Sequence, residues 1–283
     1  MRISLSDIDM EPWDRIQYLD AGRGGVAVER LLLVLRGVVN ALPPGVETLV
    51  VASDLQGREP PRPGAGGPLR LLGIQVAETL AGWCRDGRLP PTDCVGVLLC
   101  GDLYAHPELA KRGTHGDVRE VWRAFAERFR WVAGVAGNHD VFGDNPHRSE
   151  RHPVSDVPGA HFLDGTTVDL DGLKIGGVSG VFGKPARLFR RTEVDYLGAV
   201  DRVLDAGADI LVLHDGPDFP SLGYLGIPGV RESLERRPPV LVLRGHCWWG
   251  QPMVTLEGGT QVLNADGRVV LLSAERGIPN PGY

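Results

Sequence analysis

The sequence predicts an α/β fold in which two mixed β-sheets lie face to face with helices outside, a four-layer α/β/β/α sandwich. Three observations predict it. Five short runs rich in Val and Leu each stop at a polar residue: ETLVVASD, CVGVLLCGD, WVAGVAGNHD, ILVLHDG and VLVLRGH. Continuous apolar runs of this length are the mark of strands buried on both faces. Between them, residues 69–85, 117–130 and 192–206 set apolar side chains three and four apart, the spacing of one buried helix face. Lastly, TVDLDGLKIGG and VLNADGRVVLL each put Asp-Gly between two strand-like runs, which predicts two tight hairpins and hence antiparallel strands in the second half.

Taken in order, residues 1–46 form an N-terminal extension packing on a single domain of residues 47–283. The most apolar run, 31–42, is interrupted by Arg36 and is shorter than the roughly 20 residues a membrane span needs, so a helix over 26–41 is expected. Residues 58–68 (REPPRPGAGGP) and 144–158 are rich in residues that stop regular structure. The first leaves the rim of whatever site residues 54–56 form, as a lid or as a loop without a role.

A charged fraction of 23% and an apolar fraction of 42% describe a folded chain rather than a disordered one. A net charge of −6 argues against coating a polyanion, although a local basic patch is compatible with it. The four Cys show no CxxC spacing, as expected of buried thiols in a reducing compartment. The opening MRISLSDIDMEPWD carries acids where an export signal needs bases. A cytoplasmic location without membrane insertion is the expectation.

In an α/β sheet the carboxyl ends of parallel strands share one edge, so the five polar stops should converge. They deliver Asp54, Asp102, Asn138 with His139 and Asp140, His214, and His246. Carboxylates, an amide and imidazoles without a thiolate suit Mn²⁺, Fe, Zn²⁺ or Mg²⁺. The bland alternative, that Asp and Asn merely cap turns, does not account for five such stops.

The order D-x-Q, GD, GNHD, H, GH-x-W over residues 54–248 resembles the signature of the calcineurin-like metallophosphoesterases, GNHD being its most specific piece. The resemblance implies one or two divalent ions, Mn²⁺ first, with Asp102 bridging. It implies one site completed by Asn138, His214 and His246. The other takes Asp54 and two His, but here those positions hold Gln56 and Trp248. A Gln oxygen can still ligate a hard cation, whereas an indole offers no usable lone pair. The resemblance further implies His139 as general acid with Asp140 orienting it, and substrate contacts from Asn138 and His139.

Arg112 and His115, in the loop after GD, are candidate substrate contacts, and so are the basic run Lys184, Arg187, Arg190 and Arg191 and the trio His147, Arg148 and His152. Each is more readily read as a solvated face. Trp248 and Trp249 are read as packing before base stacking. The implied activity is hydrolysis of a phosphomonoester or phosphodiester of a small molecule, a nucleotide included, with nucleic acid not favoured. The alternatives are a degenerate relative that holds a metal and an anion with little turnover, and an interaction protein using the fold as scaffold. Oligomeric state is not legible.

Overall fold

Strands form where Val and Leu repeat because branched side chains pack well on a pleated surface whose two faces are both covered. The computed structural model describes residues 1–274 except 63, 65, 66, 144–152 and 239. The first sheet holds β1 (Leu5–Ile8), β2 (Asp14–Ala21), β3 (Ala27–Val39), β4 (Thr48–Ser53), β5 (Val95–Leu99), β6 (Trp131–Gly134) and β7 (Ala160–Phe162). The second holds β8 (Thr166–Leu170), β9 (Leu173–Val178), β10 (Ile210–Leu213), β11 (Leu241–Arg244), β12 (Met253–Thr255) and β13 (Gln261–Asn264), after which β14 (Arg268–Ala274) returns to the first. The sheet orders are β1-β3-β14-β4-β5-β6-β7, with β2 on β3, and β8-β9-β10-β11-β13-β12. Both sheets are mixed. Strands β4 to β7 are mutually parallel, and so are β9, β10, β11 and β13.

The helices α1 (Leu72–Arg85), α2 (Arg119–Ala126), α3 (Glu193–Asp205) and α4 (Pro228–Glu235) cover the outer faces. Along β4 the side chains alternate with period two. Val50 and Ala52 join Val76, Leu80, Val121 and Phe125 beneath α1 and α2, while Leu49 and Val51 join Ile175, Val212 and Leu243 between the sheets. A third core sets Leu211, Leu213 and Val242 against Tyr196, Val200 and Val230 of α3 and α4. Three cores between four layers confirm the expected sandwich. Each fully buried aliphatic side chain contributes about 1.5–3 kcal/mol. The periodic segments form the three expected helices with slightly shorter bounds; α3 is preceded by Thr192, whose hydroxyl accepts from Asp195 N at 3.2 Å, a standard N-cap.

Two expectations fail. The helix expected over 26–41 is the strand β3, paired with β1 and β2 on one side and with β14 on the other. A nearly continuous apolar run has no period that separates a buried strand from a helix. Of the two Asp-Gly hairpins, only TVDLDGLKIGG is one: β8 and β9 pair across Asp171 (φ 57°) and Gly172 (φ 82°), both left-handed as a tight hairpin turn requires. In VLNADGRVVLL the flanking strands lie in different sheets. Strand β13 pairs with β11, and β14 pairs with β3 and β4, so this Asp-Gly steps between sheets.

At the base of the 58–68 segment, Arg58 forms bridges with Leu19 and Leu71. Glu59 binds Arg62 at 2.7 Å and Arg70 at 2.6 Å.

Candidate metal centre

Register brings the polar strand ends level. Ala52 lies opposite Leu99 and Leu99 opposite Gly134 in the first sheet, and Leu213 opposite Arg244 in the second. Asp54, Asp102 and Asn138 therefore leave the first sheet beside one another, and His214 and His246 leave the second. The two groups meet across the sandwich. His214 Nδ1 lies 2.7 Å from the Cys100 carbonyl oxygen, and His246 N donates to Asp54 Oδ2 at 3.0 Å.

The backbone here is forced. Asp54, Asp102 and His246 have φ of 54°, 55° and 69°, a left-handed conformation that costs a non-glycine residue about 1–3 kcal/mol and persists only where the surroundings impose it. The adjoining glycines permit it. A Cβ on Gly137 would sit 2.0 Å from Asp102 Oδ1, and one on Gly245 would sit 1.9 Å from Ser53 Oγ. GNHD and GH thus need glycine because one backbone passes against another's ligand.

Ligand atoms of Asp102, His214 and His246 all lie within 4.8 Å of one another. Asp102 Oδ1 accepts from His139 N at 2.9 Å, and its Oδ2 accepts from Gln56 Nε2 at 2.9 Å. Because the Cys100 carbonyl can only accept, His214 keeps a proton on Nδ1. Its Nε2 then faces Asp102 Oδ2 at 3.4 Å. Among the described residues, His214 Nε2 and Asn138 Oδ1 are buried without a hydrogen-bond partner, at about 1–3 kcal/mol for each such group. Two orphaned donor atoms with a carboxylate and a second imidazole fit a divalent cation.

The same groups also shift one another's ionisation. Burial would raise the Asp102 carboxyl, but His214 and His139 outweigh it and hold it at about 2. Burial would lower His214, but Asp102 and Asp54 outweigh it and push it up to about 10. Burial, with His214 beside it, takes His246 down to about 3, leaving that imidazole neutral. Asp54 is raised well above the usual carboxylate range by burial and by Asp266.

The description of the calcineurin-like phosphoesterases matches residues 48–247. The chain belongs to the calcineurin-like phosphoesterase family. The family is one of metal-dependent phosphoesterases, and the group Asp102, His214 and His246, which could hold a metal ion, fits it. Among solved structures, TT1561 of Thermus thermophilus is similar at TM-score 0.52 and 17% identity, covering 78% of this chain and 90% of that one. The Phosphopantetheinyl Hydrolase (PptH) from Mycobacterium tuberculosis is similar at TM-score 0.42 and 16% identity, covering 78% and 89%. At such identities the first likeness speaks for the fold, and the second carries no argument. No curated protein matches the chain.

Within this calcineurin-like centre, Asp140 takes a role other than the expected one. Its carboxylate accepts from Asp102 N at 2.9 Å, Leu103 N at 2.7 Å and Gly137 N at 2.8 Å, while His139 Nδ1 has no partner among the described residues. Asp140 thus ties the GD turn to the GNHD turn instead of orienting His139, because three backbone N–H groups point at its two oxygens. Burial and Asp102 still raise its carboxyl to about 6. His139 lies with Nε2 4.0 Å from Asp102 Oδ2, lowered by burial, and its ring centroid is 4.9 Å from that of His115.

A cleft of about 450 Å³ opens beside Asp54, Gln56 and His246, with Lys111, Arg112 and Trp248 also on its wall. Arg112 donates to the Ala21 carbonyl at 2.9 Å and to Asp20. Trp248 is 65% exposed, with the Arg268 guanidinium 5.1 Å from its ring centroid. Trp249 is fully buried and stacks on Tyr224 at 5.0 Å, so the pair divides into a cleft residue and a packing residue. In the second basic run, Arg191 pairs with Asp164, whereas Arg190 acts electrostatically on His139 and His246. His147, Arg148 and His152 lie outside the described residues.

Sequence reasoning missed Asp266. It bridges to Ser53, lines the cleft with Asp54 and is raised by burial. The signal was present, since VLNAD is a sixth apolar run stopped by a polar residue, but Asp-Gly was assigned to a hairpin.

Proposed function

We propose that this chain hydrolyses a phosphate ester of a small molecule, with Asp102, Asn138, His214 and His246 holding a divalent ion, Mn²⁺ before Fe, Zn²⁺ or Mg²⁺. The observation that carries this is the pair of buried, unpartnered donor atoms, His214 Nε2 and Asn138 Oδ1, at the Asp102 carboxylate. A bound divalent ion supplies Lewis acidity toward a phosphoryl oxygen and lowers the pKa of water, the chemistry that phosphoester hydrolysis needs.

The chain's own residues supply the rest. The Cys100 carbonyl fixes the His214 tautomer. The Asp140 clamp holds the Asp102 backbone in its left-handed turn. We assign His139 as the group that passes a proton to the leaving oxygen, and Asn138 and His139 as phosphate contacts. Lys111 and Arg112 supply cations on the cleft wall, and His115 stands beside His139. The cleft suits a small phosphorylated molecule or a nucleotide better than a long polyanion, since the chain is acidic overall. Gln56 and Trp248 we take as standing where relatives carry histidine ligands.

The test is turnover of one chromogenic phosphomonoester and one chromogenic phosphodiester at fixed Mn²⁺, before and after chelation. Turnover that chelator abolishes and Mn²⁺ restores is expected, and the preferred ester divides phosphatase from phosphodiesterase. Folded protein that binds Mn²⁺ but turns over neither would favour the second reading, a degenerate relative that binds without hydrolysing, for which Gln56 and Trp248 are the supporting observation.

A further inference from the structure

Strands β2 and β3 lie outside residues 48–247, which the family description covers, yet they wall the cleft. Their register explains how. Tyr18 pairs with Arg30 and Ile16 with Leu32, so by the period of two Ile16, Tyr18, Asp20, Arg30 and Leu32 share one face of the ribbon. Ile16 and Leu32 are buried in the core beneath α1 and α2. The same face continues outward as Tyr18, Asp20 and Arg30 on the cleft wall.

The loop after β5 is anchored on this ribbon. Leu109, buried and left-handed at φ 53°, clusters with Ala21 and Ala105. Three residues on, Arg112 donates Nε to the Ala21 carbonyl at 2.9 Å and Nη2 to Asp20. Asp20 also faces Arg30 Nε at 3.6 Å. The cations are thereby held but not spent. Both terminal nitrogens of Arg30 and Nη1 of Arg112 make no hydrogen bond to another described residue, and Lys111 has neither a hydrogen bond nor an ion pair among them. Three cations here share the Asp20 carboxylate, in a chain whose net charge is −6. The other acids of the cleft, Asp54 and Asp266, belong to the strand ends at the metal centre. Guanidinium forks and an ammonium group match phosphate oxygens. The cleft, about 450 Å³, falls in the range of small-molecule pockets, roughly 300–1,000 Å³, which leaves room beyond a single phosphoryl group.

We propose that the substrate carries a second phosphate group, bound by Arg30, Lys111 and Arg112 while the phosphate to be hydrolysed sits at the metal centre. This names the substrate class within the hydrolytic reading above and rests on it. Asp20 is a positioning residue: its carboxylate holds both guanidiniums in place, so less side-chain freedom is lost on binding. Arg30 is the specificity-determining residue that the N-terminal ribbon brings to the cleft.

The experiment measures phosphate release by the full chain with Mn²⁺ from the monophosphates and bisphosphates of propanediol, hexanediol and nonanediol, for wild type, Arg30→Gln and Lys111→Gln. The readout is kcat/KM for bisphosphate over monophosphate within one preparation, a ratio from which any loss of folded protein cancels. Wild type should prefer the bisphosphate by about tenfold or more at one chain length at least, the size of one charge-assisted hydrogen bond. Each variant should lose most of that preference through a higher KM for the bisphosphate. A wild-type ratio near one at every length would overturn the proposal. So would a preference that either variant keeps in full, because the cations would then serve the hydrolysed phosphate or solvent. Turnover of chromogenic esters with none of the bisphosphates would overturn it as well. Wild type that hydrolyses no ester at all would fail the underlying hydrolytic reading instead.

Discussion

At the scale of the residue, the centre is a set of side chains whose charges are balanced against one another. His214 is raised from 6.5 to about 10, so its charged form contributes stability fully below pH 6.5 and loses it as pH rises through 10. Asp102 is lowered from 3.8 to about 2, so its contribution is present above 3.8 and is lost as pH falls toward 2. The pair is complete from pH 3.8 to 6.5. A cation bound at His214 Nε2 must displace a proton there. We therefore expect Mn²⁺ affinity to rise with pH until about pH 10, by up to about tenfold per pH unit, with one proton released. Calorimetry in buffers of different ionisation enthalpy measures both. His246, at about 3, should release none.

Gly137 offers a second test at this scale. Its added Cβ would fall 2.0 Å from Asp102 Oδ1, so Gly137→Ala should cost about 1–3 kcal/mol in urea denaturation and lose Mn²⁺ binding. The ligand types were legible in the sequence because each follows an apolar run. The Asp140 clamp was not, since three converging backbone N–H groups leave no mark in a one-dimensional pattern. Asp266 was half legible: its strand-end position could be seen, but the Asp-Gly after it has two structural meanings that depend on which sheet the next strand joins.

At the scale of the element, the helices were legible wherever one face is apolar and the other polar, and α1 illustrates this with Val76, Leu80 and Trp83 buried. Leu80→Ala in its fully buried position should cost about 2–5 kcal/mol in chemical denaturation. Because Leu80 belongs to the hydrophobic core between the helices and the first sheet, the Mn²⁺ affinity of the folded variant should be unchanged. The strand β3 was misread for the opposite reason. Its run carries Leu32, Val34 and Leu35 inside, but partners on both sides, known only in three dimensions, decide between strand and helix.

At the scale of the whole molecule, the two sheets act as jaws that each bring part of one site. Strands of the first sheet lead into Asp54, Asp102 and Asn138; strands of the second lead into His214 and His246. The first 39 residues belong to this arrangement through β3, which pairs with β14 along seven residues from Arg268 to Ala274. We expect a chain lacking residues 1–39 to fail to fold cooperatively by circular dichroism, since the cut bares the side of β14 that β3 covers. No helix among the described residues is long and apolar enough to cross a membrane.

The central claim is that phosphate-ester hydrolysis depends on a cation held at Asp102. The most direct measurement is metal content and turnover of a chromogenic phosphate ester, side by side, for wild type and Asp102→Ala. The account predicts bound Mn²⁺ and turnover in wild type, with both lost in folded Asp102→Ala. Turnover at the wild-type rate in Asp102→Ala would contradict it.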